Sequence, residues 1–536
     1  MASLLSMMVG QCGNQIGAAT YAALHAERPF PGELALFDDR GRARAVLVDG
    51  EAKVVGALVR DCERGGPFSK VRVWAQSVRR CVRQVPTSLC HQDCAFVEDS
   101  GRGNNWALGY YGPRAGNGIV DRAMGGFRRQ LEASDAYRGC LCFHSLCGGT
   151  GAGLGSRLME ELHDELGKAP MMSTTVMPFS VGELPLQHYN ATLCLSRICQ
   201  ETDACFLFAN DDVLSVCAAS NAPKTGSVVK PSDAASALVK TAHLNRYISL
   251  ALSSVLRPCV FTRMSARSSA AAAVPWDMAG TVAAVAPTPE TKFVEIWSMQ
   301  EERAKKGSNM APASHFSDPP WATLGKRLST DMRRSRDARD AAKGGGGERA
   351  EGRVHPRRTL TGGCQVFARG EGVFGGGGGG DDGAHAARVH VEKALELAPG
   401  AHHFTQQVSV CDTVALPQDR RLSTRNEGLP TGPSPSRWRD GAGAFPDTTT
   451  SGGWIHCPRQ LGAAYPRSLA VVASRSGHLS QMAEIHRRCS LMAEAGAYMH
   501  WYTKYGFEEE ELLGALEDLR TYLDDASVFF GCPPAL

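Results

Sequence analysis

The segment Cys147-Gly148-Gly149-Thr150-Gly151-Ala152-Gly153 has the composition of an anion cradle. An apolar run at 141–146 precedes it and reads as a buried strand; residues 154–162 follow and read as a helix. Glycines let backbone N–H groups approach oxygen atoms closely, and a helix N-terminus favours negative charge. Thr150 adds a hydroxyl donor. Spacing excludes two familiar phosphate motifs. No Lys-Ser or Lys-Thr closes the loop, so it is not a P-loop. A dinucleotide fingerprint needs glycines at positions one, three and six, but the sixth residue is Leu154 counted from Gly149 and Ser156 counted from Gly151. Taken alone, the glycine turn has a second reading, an ordinary tight connection between strand and helix.

Two carboxylates, Asp49 and Glu51, stand one residue apart at the end of another apolar run, 45–49. Carboxylates so placed can orient the water ligands of Mg²⁺ beside phosphates; the alternative is a solvated loop.

These residues need a rigid scaffold. Apolar runs at 4–9, 45–49, 141–146, 174–177 and 204–208 are nearly continuous, as strands covered on both faces should be. Helical stretches alternate with them, which predicts a doubly wound, mostly parallel α/β sheet with ligand loops at the strands' carboxyl ends. A long buried helix is expected at 245–256, ending before Pro258. Residues 469–473 read as a strand, and 507–523 as an amphipathic helix with Leu512, Leu516, Leu519 and Leu523 at helical spacing. Glu508 to Glu511 suit its first turn, where the dipole favours anions.

Four segments in order carry a resemblance: Gly10-Gln11-Cys12-Gly13-Asn14-Gln15-Ile16-Gly17, Gly103-Asn104-Asn105-Trp106-Ala107, the glycine loop, and Tyr189-Asn190-Ala191-Thr192-Leu193. Together they resemble the tubulin superfamily, with Cys147 in place of the usual first glycine of the loop and Ala152 in place of a common serine. The runs Ala43-Arg44-Ala45-Val46-Leu47-Val48-Asp49 and Ala497-Tyr498-Met499-His500-Trp501-Tyr502 are most similar to the delta type. The resemblance covers 1–260 and 465–525 and is poor over about 300–460.

The resemblance implies a nucleotide-binding GTPase domain (1–240), a central helix (241–257), a smaller α/β second domain (258–475) and a C-terminal helical region (476–536). It implies GTP or GDP with Mg²⁺ as cofactors. Gln11, Cys12, Asn104, Ser145, Gly148, Gly149, Thr150 and Gly151 would hold phosphate, and Asp49 and Glu51 the metal. Glu183 would accept from the ribose, and Asn210 and Asn245 would read the base. Gln187 stands where alpha- and beta-tubulins carry glutamate, and Thr241 where an aromatic usually stacks on the base, so both contacts are expected to be weaker. A catalytic acid that acts on the neighbouring subunit's nucleotide would fall at Gly280, which has no side chain; Asp277 is the nearest acid. The implied role is structural, with at most a weak GTPase. Its implied partners are other tubulins and microtubule or centriole components, in the cytoplasm, cytoskeleton, basal body and cilium. Two other readings stand beside it: a degenerate pseudo-tubulin that binds partners without nucleotide, and a soluble nucleotide-dependent enzyme on a Rossmann-like sheet.

Composition bounds these readings. A chain of 536 residues holds two or three domains. A net charge of +3 argues against a dedicated nucleic-acid binder. The eighteen cysteines are scattered, and the first ten residues lack a basic n-region, so reduced thiols in the cytosol are expected. Cys90-His91-Gln92-Asp93-Cys94 lacks a second pair to complete a zinc site. No apolar segment reaches the roughly 20 residues a membrane span requires. Residues 300–460 hold a basic stretch (333–339), glycine runs (344–347, 375–380) and a Pro/Gly/Ser-rich stretch (430–446). Such composition reads as long disordered insertions or a retained intron, with a basic linker as the less favoured alternative.

Overall fold

The computed structural model describes residues 2–26, 36–38, 43–62, 72–74, 93–113, 117–180, 184–221, 239–257, 259–261, 272–274, 276–301, 320–343, 359–370, 384–397 and 467–533. In chain order the strands are β1 Ala2–Val9, β2 Ala45–Asp49, β3 Arg72–Trp74, β4 Asp93–Val97, β5 Ala136–Ser145, β6 Met171–Met177, β7 Ala204–Ala209, β8 Cys259–Phe261, β9 Ala272–Val274, β10 Phe293–Gln300, β11 Leu360–Gly370, β12 Glu396–Leu397 and β13 Arg467–Arg475. The α-helices are α1 Gly10–Ala26, α2 Ala52–Cys62, α3 Trp106–Tyr111, α4 Gly118–Glu132, α5 Gly155–Leu166, α6 Gln187–Glu201, α7 Asn210–Asn221, α8 Thr241–Leu256, α9 Met278–Val285, α10 Pro320–Lys343, α11 Ala384–Glu392, α12 Leu479–Glu494, α13 Met499–Thr503 and α14 Glu509–Phe530.

Eleven strands form one sheet in the order β12-β11-β13-β10-β7-β6-β5-β1-β2-β4-β3; β8 and β9 pair separately. Every pairing from β10 across to β3 is parallel, as the alternation of strands and helices predicts. β13 runs antiparallel to both β10 and β11. β2, β6 and β7 are buried along their whole length, which accounts for their continuous apolar character. α3, α4, α5, α6, α12 and α14 pack on one face around Trp106, Phe127, Tyr189 and Leu519. α1, α2, α7, α8 and α9 cover the other around Tyr21, Phe206, Ile248 and Leu252.

The strand order reverses at β1: the chain moves to β2 on one side and returns to β5 on the other. A crevice opens at the carboxyl ends of strands at such a switch point. The loops after β1 and β5 are the two glycine motifs.

Several elements exceed their sequence bounds. The helix expected at 245–256 is α8, which begins at Thr241. The C-terminal helix is α14, with Glu508 as N-cap in a capping box with Glu511. The expectation of disordered insertion over about 300–460 does not hold at 320–343, 359–370 and 384–397. There α10 buries Trp321, Leu324, Leu328 and Met332 at helical spacing, against Ala387 and Val391 of α11 and Val366 of β11. β11 joins the main sheet through β13. The basic stretch 333–339 lies on the second half of α10. Residues 401–466, with the Pro/Gly/Ser-rich stretch, lie outside the described residues.

Candidate functional site

β1 delivers the chain into α1 through Gly10, whose φ of +71° is in the left-handed region. A Cβ there would stand 2.9 Å from Gly151 N, so the two glycine motifs touch through backbone. Asn14 holds this junction in register: its Nδ2 donates to Gly10 O and to Val48 O, both at 2.9 Å. α1 is thereby tied to β2, the strand that ends in Asp49.

β5 ends at Ser145, whose hydroxyl donates to Cys147 O at 3.2 Å and braces the loop. Gly148 has a φ of +120°. The chain then runs through a π-helical turn, Gly149–Leu154, before α5 begins. A helix is correctly expected after the loop; its widened first turn is not foreseen. Two glycines of this turn have no room for a side chain because other backbone lies against them. A Cβ at Gly149 would overlap Arg102 O, and one at Gly153 would overlap Trp106 O.

The loop from Gly101 to Trp106 forms the facing wall. Gly103 and Asn104 both have positive φ, and Asn105 caps α3 by accepting from Leu108 N. The loop is held from behind by Asn190 on α6: its Nδ2 donates to Asn104 O at 2.8 Å, and its Oδ1 accepts from Trp106 N at 2.9 Å.

Between these walls lies a cavity of about 500 Å³. Gln11, Cys12, Asp49, Glu51, Asn104, Ser145, Gly148, Gly149, Thr150, Gly151, Asn210 and Asn245 all line it. The sequence-derived candidates from separate strands, helices and loops thus meet in one cleft. Glu183 lies outside the described residues. Asp277 is exposed at the start of α9 and is not among the lining residues. Its carboxylate folds over the position where a side chain at Gly280 would begin.

The cleft is also lined by residues that motif reading missed: Gln15, Lys53, Arg102, Val176, Phe179, Leu184 and Leu244. Gln15 and Lys53 sit inside motifs already singled out by their glycines and carboxylates. Phe179 carries no local signal. Gln187 and Thr241, two of the departures from the family pattern, face the same cavity. Gln187 Nε2 donates to Phe179 O at 3.4 Å. Asn245 Nδ2 donates to Gln15 Oε1 at 3.0 Å, which fixes the plane of that amide.

Electrostatics are uneven along the cleft. Asp49 is buried; its Oδ1 accepts from Glu51 N at 3.3 Å, while Oδ2 has no hydrogen-bond partner. Burial pushes its carboxyl up to about 7, with neighbouring Glu51 adding to the shift against two backbone N–H donors. A buried carboxylate oxygen without a donor fits a cation. Burial, with Cys147 nearby, pushes the Cys12 thiol up to about 12, so it adds no negative charge to an anion site at neutral pH. Among the described residues no group of three His, Cys, Asp or Glu side chains could hold a metal unaided. Nor is any described helix long and apolar enough to cross a membrane.

Residues 3–218 match the family described as Tubulin/FtsZ family, GTPase domain. The chain is 30% identical over 237 residues to the tubulin delta chain of Homo sapiens and, at the same identity and length, to that of Canis lupus familiaris. It is 32% identical over 224 residues to the tubulin beta-1 chain of Mus musculus. Each of these matches covers 40% of this chain and 47% of the relative, so the chain spans about half the length of the curated relatives it matches.

Proposed function

Because the chain belongs to the tubulin superfamily through a delta-like GTPase domain at 3–218, we propose that the cleft binds a guanine nucleotide with Mg²⁺. The protein then acts as a cytoskeletal subunit of delta type. Its partners are other tubulins, and its setting is the microtubule arrays of centrioles, basal bodies and cilia. The observation that carries this reading is the convergence of the glycine loop, the Asp49–Glu51 pair and two asparagines on one cavity of about 500 Å³.

Each part of the cleft has a task under this reading. Backbone N–H groups of Gly148–Gly151 and the side chains of Thr150, Gln11 and Asn104 donate to phosphate oxygens. Asp49 and Glu51 would hold Mg²⁺, which would supply positive charge beside the phosphates. The orphaned Oδ2 of Asp49 supports that assignment. Asn210 reads the base edge, and Asn245, oriented by Gln15, assists it. Phe179, Leu184 and Leu244 supply apolar surface for the base, which offsets the missing aromatic at Thr241.

Competition binding tests the reading. A fluorescent GTP analogue should be displaced by GTP and GDP, and far less by ATP. Asn210→Ala leaves a guanine group unpaired and should cut the preference for GTP over ATP by about 10- to 100-fold. An unchanged preference would remove Asn210 from base reading. Failure of the analogue to bind at all would favour the pseudo-tubulin reading.

A further inference from the structure

Two helices of opposite charge pack in separate cores. α10 holds seven Lys or Arg against three Asp, and α14 holds seven Asp or Glu against one Arg, in a chain whose net charge is only +3. α10 packs with α11 around Trp321 and Val391, and α14 packs with α6 and α12 around Leu519. On α10 the inward side is taken by Trp321, Leu324, Leu328 and Met332, which leaves Lys326, Arg327 and Arg333 exposed. Lys326 and Arg333 stand two turns apart on one stripe. Arg333 donates to Lys393 O at 3.4 Å and so draws the end of α11 against this face. Lys393 is exposed there, as is Val389 one turn earlier.

The outer side of α14 is the complement. Leu513, Glu517, Asp524 and Val528 are all exposed and fall on one stripe. Glu517 and Asp524 have the same two-turn separation as Lys326 and Arg333, about 10 Å along the axis. Arg520 competes for Asp524, its Nε lying 3.8 Å from Oδ2, but both side chains are at least half exposed and such a pair exchanges readily. Six large apolar side chains are exposed among the described residues, and three of them, Val389, Leu513 and Val528, sit on these two faces. A single exposed aliphatic is ordinary. Here each stands within a face whose charge has its complement on the other helix.

We propose that the α10–α11 face is a docking surface for the α14 face of a second copy of this chain. Lys326 and Arg333 are set against Glu517 and Asp524, and the three aliphatics exclude water between them. The contact joins unlike faces, so one copy can offer each face to a different neighbour. It does not depend on a nucleotide in the cleft.

Sedimentation velocity of the full chain tests the proposal. At an ionic strength of about 0.1 M a concentration-dependent species heavier than the monomer is expected; at about 1 M, where the screening length falls to about 3 Å, it should disappear. Lys326→Glu with Arg333→Glu makes both faces acidic, and Glu517→Lys with Asp524→Lys makes both basic. Each double variant alone should stay monomeric. An equal mixture should recover the heavier species, because each variant then meets the opposite charge, and that recovery also shows both to be folded. Val528→Ser changes a side chain that is already 82% exposed, so the fold does not depend on it. It should weaken association about 10-fold, as expected for one aliphatic taken from water. A wild type that is monomeric at the lower salt overturns the proposal. So does an assembly unmoved by salt, by either reversal or by Val528→Ser, and so does a mixture that stays monomeric while both variants unfold at the wild-type temperature.

Discussion

Tyr502 donates its hydroxyl to Asn190 Oδ1 at 2.6 Å, joining positions 312 residues apart. The same oxygen accepts from Trp106 N, and the amide nitrogen of Asn190 donates to Asn104 O. Asn105 Nδ2 reaches Trp501 O at 2.9 Å on the same short helix as Tyr502. The loop that forms one wall of the cleft is therefore held by α6 and α13 together. The C-terminal region is part of the scaffold of the site.

Asn190→Ala should remove three hydrogen bonds and leave buried groups unpaired. The expected cost is roughly 2–4 kcal/mol, given that each unsatisfied buried group costs about 1–3 kcal/mol. Tyr502→Phe should cost about 1 kcal/mol. Denaturant midpoints check both. The double variant should lose less than the sum, because the two share one bond; strict additivity would show that the bond contributes nothing.

Two glycine substitutions should act in opposite directions. A Cβ at Gly109 on α3 would overlap Gly149 O of the phosphate loop, so Gly109→Ala should force the wall and loop apart and weaken nucleotide binding. Gly514 on α14 has nothing within 4 Å of its Cβ position. Gly514→Ala should stabilise the chain by about 0.5–1 kcal/mol through helix propensity. Thermal unfolding of the two variants side by side reads the contrast.

How much of this was legible in sequence depended on burial. β2 falls at Ala45–Asp49, as its continuous apolar run predicts, because a strand covered on both faces needs no alternation. α10 was hidden. Glycine runs and basic residues dominate the composition around it, yet Trp321, Leu324, Leu328 and Met332 carry a helical period that a shorter window would have found. At the site, residues inside motifs were legible because backbone geometry demands glycine or a short polar side chain there. Arg102 and Phe179 were not, since their roles come from a cavity wall assembled by distant strands.

The Asp49 carboxyl sets a pH dependence. Its folded-state value is raised to about 7 from 3.8. Between those values the unfolded chain releases a proton that the folded chain retains, so stability of the nucleotide-free protein should fall as pH rises from about 4 to about 7. Metal binding needs the ionised form, so Mg²⁺-dependent nucleotide affinity should rise as pH increases through about 7. Asp49→Asn should flatten both trends and stabilise the nucleotide-free chain above pH 7. Affinity measured against pH for both proteins decides it; parallel profiles would show that another group titrates.

Under the proposed function, hydrolysis in a neighbouring subunit would turn on Asp277. Its carboxylate folds over Gly280, the position to which the tubulin resemblance assigns the acid that would serve that subunit. A group displaced by about 1 Å can lose about 100-fold in rate, so this chain should bind GTP but stimulate little hydrolysis in the subunit beneath it. Mixed assembly with other tubulins, followed by phosphate release, measures this. A rate that rises on adding the chain, and falls with Asp277→Asn, would show that Asp277 fills the role.

The most direct measurement is the nucleotide carried by the purified chain. The protein is denatured, the released small molecules are separated by chromatography, and the protein is assayed for uptake of GTP with Mg²⁺. The account predicts GDP or GTP close to one per chain, or saturable uptake that disappears when Thr150 and Gly151 are replaced by bulky residues. A chain that releases no guanine nucleotide and takes none up would contradict it.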